Sequence, residues 1–92
     1  MKISEAIQQQ YSALKISINQ AFGDRLGQLF PDLETINLQD LIYFICYTFS
    51  GSNYTDAIGN LCFYYRVNLT ADEIEQVAAI VAPHIEFIKS LK

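Results

Sequence analysis

The residues of this 92-residue chain best suited to ligate a metal or move a proton are one histidine, two cysteines and ten carboxylates. A zinc-type site needs three or four nitrogen, sulfur or oxygen ligands held close together. Neither Cys46 nor Cys62 belongs to a C-x-x-C pair, and His84 has no His or Cys three or four residues away. No metal and no other cofactor is expected. His84 would have to activate Cys46, Cys62 or a serine for nucleophilic catalysis, yet no nucleophile elbow accompanies any of them. Gly23, Gly27, Gly51 and Gly59 are too scattered to cradle a phosphate. Of the acidic clusters, Asp32/Glu34 stands alone, and Asp72/Glu73/Glu75 opens a helix whose dipole accounts for it. The named roles of an active site cannot be filled, so the chain is expected not to be an enzyme. His84 lies on an apolar helix face and reads as a hydrogen-bonded core or interface residue.

Charge excludes two further classes. The formal net charge is −4, and no Lys or Arg occurs between Arg25 and Arg66. The four acids in that gap, Asp32, Glu34, Asp40 and Asp56, carry the whole excess, since six acids and six bases balance elsewhere. Phosphate binding takes clustered cations, so nucleic acid is not an expected partner. A helix-turn-helix reading of the C-terminal half would aim Asp72, Glu73 and Glu75 at DNA. The same deficit argues against anionic membrane surfaces. No apolar run reaches the roughly 18 residues of a spanning helix, and Glu5 with Gln8 to Gln10 interrupts any signal-like segment. A cytoplasmic location is expected, with the cysteines as buried free thiols. The glycosylation patterns at Asn53 and Asn68 are then decoys.

The elements that would position these residues read as helices throughout. Ile3, Ile7, Tyr11, Leu14, Ile18, Ala21 and Phe22 recur at helical spacing, which predicts a helix over 3–22 that Gly23 stops. A short helix over 25–30, capped by Asp24 and ended by Pro31, is expected next. Asn37 with Asp40, Asn53 with Asp56, and Thr70 with Glu73 each place a capping side chain three residues before an acid. They predict helices over 38–50, 54–66 and 71–91, the last kinked or split near Pro83. Only Thr70/Glu73 is a strict capping box. Asp24, Asp40, Asp56 and Asp72 are sixteen residues apart, each followed by a similar apolar pattern. Helices that each begin with an acid explain this more simply than duplication does. The fold expected is all-α, a compact bundle of four to five helices forming one domain over 1–92.

What remains unexplained is aromatic. Eight of the twelve Phe and Tyr residues lie between Tyr43 and Tyr65. On the 38–50 helix, Leu38, Leu41, Ile42, Ile45 and Phe49 suffice for a core face, yet Tyr43, Phe44 and Tyr47 cover the opposite side. The 54–66 helix buries Tyr54, Ala57, Ile58, Leu61 and Tyr65 on one face and leaves Phe63 and Tyr64 off it. The last helix carries Ile80, His84, Phe87 and Leu91 beside its main stripe, so it needs packing on two sides. Either the 38–50 helix is central and wrapped on every side, or its second face is a binding surface. The function expected is a non-enzymatic protein–protein interaction module, homodimeric, using Tyr43, Phe44, Tyr47, Phe63, Tyr64, Ile80, Phe87 and Leu91. One alternative is a small-molecule carrier with a Tyr/Cys-lined pocket between helices. Another is a small acidic regulator or inhibitor of a basic protein.

Overall fold

Three of the four helices begin where a side chain satisfies backbone N–H groups that the helix itself leaves unpaired. The computed structural model describes residues 3–91, with α1 over Ile3–Phe22, α2 over Leu38–Thr48, α3 over Tyr54–Tyr65 and α4 over Ala71–Ser90. Asn37 and Asn53 accept from the backbone N–H of Asp40 and Asp56 at 2.8 and 3.1 Å. Thr70 and Glu73 form the reciprocal capping box, at 3.1 and 3.0 Å. The two aspartates are too short to close such a box. They accept a hydrogen bond from the Asn side-chain amide instead, at 3.0 and 3.1 Å, a donor that a threonine cap lacks.

The helix ends are equally local. Gly23 takes a left-handed φ of 64° and its N–H returns to Asn19 at 2.8 Å, closing α1. α3 ends on Arg66 at φ 58°, with Arg66 N–H on Phe63 and Val67 N–H on Cys62. That is the glycine-favouring C-terminal motif, occupied here by a residue with a Cβ. Relieving the left-handed strain gives a simple prediction. Arg66→Gly should stabilise the fold by about 0.5–1 kcal/mol, read as a higher urea midpoint with an unchanged slope.

Between α1 and α2 the expected 25–30 helix is absent. The segment forms turns, with Gly27 N–H on Asp24 and Leu29 N–H on Leu26. Seven residues between Gly23 and Pro31 are too few for a helix nucleus to be recovered by propagation. Tertiary contacts hold the segment instead: Leu26, Leu29 and Phe30 are buried. Tyr11 donates to Pro31 O at 2.5 Å, and Lys15 donates to Phe30 O at 2.9 Å and pairs with Asp32 at 2.6 Å. Arg25 reaches Glu73 at 3.1 Å. Asp24 therefore opens no helix, which breaks the sixteen-residue pattern at its first member and favours the helix-start explanation of the other three.

α4 packs against both α1 and α3, as its two-sided apolar pattern requires. Val77, Ala78, Val81, Ile85 and Ile88 are buried, and join Ile7, Tyr11, Leu14 and Ile18 of α1 in one core with Leu41, Ile45 and Phe49. The helix runs through Pro83 without splitting. Pro83 withdraws the N–H that Ala79 C=O would accept, but both residues are exposed, so water can replace it. Its C-terminal end is tied to the α2–α3 connection. Lys89 donates to Phe49 O at 2.8 Å, placing a cation at the negative end of α2. The Lys89 nitrogen is 3.4 Å from the Tyr54 hydroxyl and 5.4 Å from the ring centroid, so it sits beyond the hydroxyl and not over the ring face. Tyr54 donates to Glu86 at 2.8 Å. Burial and that carboxylate push the tyrosine up to about 12. Among the described residues no buried side-chain N or O atom lacks a partner.

Candidate functional site

The histidine and the cysteines have separate surroundings. His84 and Gln10 join α4 to α1 at 2.8 Å, and since the Gln10 atom is an oxygen, His84 Nδ1 carries the proton. Desolvation lowers the His84 pKa below its ordinary value. The unfolded chain therefore binds this proton first as pH falls, so stability should drop from about pH 6.5 downward and level off below the folded value. Glu73 adds a second decline in the carboxylate range. Its hydrogen bond from Thr70 N–H, and then the Arg25 guanidinium, hold it below the usual value. Its contribution is present above the unfolded pKa and lost on acidification through the folded one. Urea midpoints at neutral and mildly acidic pH should differ in the wild type, and His84→Gln should remove the first decline. Cys62 is buried, and desolvation pushes its thiol up. Cys46 is only half-buried, against the expectation that both thiols are enclosed. Among the described residues no group of three or more His, Cys, Asp or Glu could hold a metal ion. None of the described helices is long and apolar enough to cross a membrane.

The aromatic residues do converge. α2 is not wrapped on every side: Tyr43 and Tyr47 are 67% and 73% exposed. Their rings stack at 5.6 Å and 12° across one helical turn, which holds them in place before any partner arrives. On α3, Phe63 is 88% and Tyr64 77% exposed. Tyr65, expected in the core, is 40% exposed and edge-on to Tyr64 at 4.9 Å. Tyr65 is the last residue of α3, and the buried positions of the helix end at Cys62.

Tyr47 and Tyr64 line one open groove of about 660 Å³ between α2 and α3. Ala57 and Leu61 are buried and form its floor, Tyr47 and Tyr64 its walls, with Cys46 and Asn60 at the sides. Among the described residues no acid lines the groove; the acids of the two helices, Asp40 and Asp56, are engaged by Asn37 and Asn53 in the first turns. Arg66 lies at the far end, in a second shallow depression with Phe63 and Tyr64. The remaining residues singled out from sequence lie elsewhere. Phe44, Ile80 and Leu91 are half-buried against the core. Phe87 is 42% exposed in a hollow with Ala6, Gln9 and Gln10 of α1.

Sequence periodicity placed Tyr43, Tyr47, Phe63 and Tyr64 off the core faces. It missed the groove, because a helical pattern gives each residue's face and not the angle at which two helices meet. Comparison of the chain with family models, curated proteins and solved structures gives no match.

Proposed function

We propose that the chain is a non-enzymatic protein-interaction module that self-associates through the aromatic face of α2 and α3. The observation that carries this reading is the joint exposure of Tyr43, Tyr47, Phe63 and Tyr64, two of which, Tyr47 and Tyr64, line one groove. Such side chains bury about 150–250 Å² each when fully covered, so at their fractional exposures these four and Tyr65 offer roughly 500–850 Å². A standard interface takes about 800 Å² from each partner. Aromatic enrichment with few charges is the composition of an interface centre, and a patch of this size on a monomer usually marks a binding site. A second copy suits the charge as well. The 26–65 segment contains no cation, so the cation beside this face is Arg66, which is exposed next to Phe63 and Tyr64 and can stay hydrated at the edge.

Light scattering across a concentration series, at low salt and at about 1 M salt, tests the reading. An apolar self-interface keeps twice the monomer mass at both salt levels; a monomeric mass throughout removes the proposal. The groove itself favours a second reading, a carrier of a small aromatic ligand held between Tyr47 and Tyr64 with Cys46 and Asn60 as polar contacts. A small molecule that copurifies and quenches tyrosine fluorescence would support it. The acidic-regulator reading has less behind it, because Asp32 is already paired with Lys15.

A further inference from the structure

Among the described residues the most exposed of the large apolar side chains is Phe63, at 88%. Unlike Tyr43, Tyr47 and Tyr64 it has no hydroxyl to hydrate, so leaving it in water forgoes about 1.5–3 kcal/mol of burial free energy. Its own chain gives it only a shallow depression beside Arg66 and Val67, which leaves it exposed. Phe63 does not line the Tyr47–Tyr64 groove, although the adjacent Tyr64 does, so knob and groove are neighbours that do not fill each other.

We propose that Phe63 of one copy seats in the Tyr47–Tyr64 groove of a second copy, and that the second copy's Phe63 seats in the first. This rests on the self-association reading above and specifies its geometry. A two-fold axis beside Tyr64 exchanges knob and groove reciprocally, as a closed isologous dimer requires. The groove suits the ring, with a floor of Ala57 and Leu61, aromatic walls, and polar Asn60 at the edge. Aromatic anchors that fill such hollows dominate interface energies. The exposed aromatic area reaches, at the upper end of its range, the about 800 Å² that one side of a standard dimer buries.

Complementation tests the seating. Phe63→Ala removes the knob and keeps the groove; Asn60→Glu keeps the knob and puts a charge in the groove that a seated ring would have to desolvate. Both positions are exposed, and circular dichroism checks that each variant keeps its helices. Each variant alone should self-associate at least about tenfold more weakly than wild type, while an equimolar mixture should form a heterodimer tighter than either, through the one intact knob and groove. Phe63→Ala associating like wild type overturns the seating and leaves self-association standing, as does a mixture no tighter than its components. A monomeric wild type overturns both.

Discussion

Phe30→Ala should lower folding stability by about 3–5 kcal/mol, the range for deleting a buried aromatic ring. Phe30 is 1% exposed and belongs to no helix. Its ring, with the side chains of Leu26 and Leu29, fastens the 23–37 connection to the core. The polar ties from Tyr11 and Lys15 run to main-chain oxygens of Pro31 and Phe30, so the substitution leaves them chemically intact and isolates the packing loss. A domain of this size has about 5–15 kcal/mol in total, so the variant should be close to unfolding at ambient temperature. Ile16→Ala is the control. Ile16 is 58% exposed, and its loss should stay within about 0.5 kcal/mol. Urea denaturation followed by circular dichroism measures both. Equal effects would mean that the 23–37 connection contributes nothing to the core.

Tyr47→Asp should act in the opposite sense, sparing the fold and breaking the association. Tyr47 is 73% exposed and stacks only on Tyr43 in the isolated chain, so the urea midpoint should hardly move. At the centre of a self-interface the new carboxylate would be desolvated twice, once on each side of the two-fold. A loss of about 2 kcal/mol or more is typical for a central anchor and corresponds to roughly thirtyfold weaker association. Tyr43→Asp, at the edge of the same stack, should weaken association less.

The helices were legible because their signals are local. Asn37, Asn53, Thr70 and Gly23 each act on backbone groups within four residues, so the sequence alone contains both partners. The core stripe of α4 was legible for the same reason, through its 3.6-residue period. The 25–30 segment was misread because Leu26, Leu29 and Phe30 have helical spacing but are held by contacts from α1, fifteen and twenty residues away for the polar ties. Tyr65 was misplaced because a face assignment presumes that the helix continues, and Arg66 ends it. The groove depends on how α2 and α3 are set against each other. That arrangement rests on long-range ties such as Lys89 to Phe49 and Tyr54 to Glu86, which no spacing rule contains. The exposed aromatics were legible as a surplus; the surface they form was not.

Sedimentation equilibrium of the wild-type chain beside Tyr47→Asp tests self-association through the aromatic face most directly. Taken up to about 1 mM, the experiment detects association as weak as roughly −4 kcal/mol. The expected result is a monomer–dimer equilibrium for the wild type, shifted strongly toward monomer by Tyr47→Asp with its helical spectrum unchanged. A wild type that sediments as a single monomer over the whole range, or a Tyr47→Asp variant that dimerises as tightly, would contradict it.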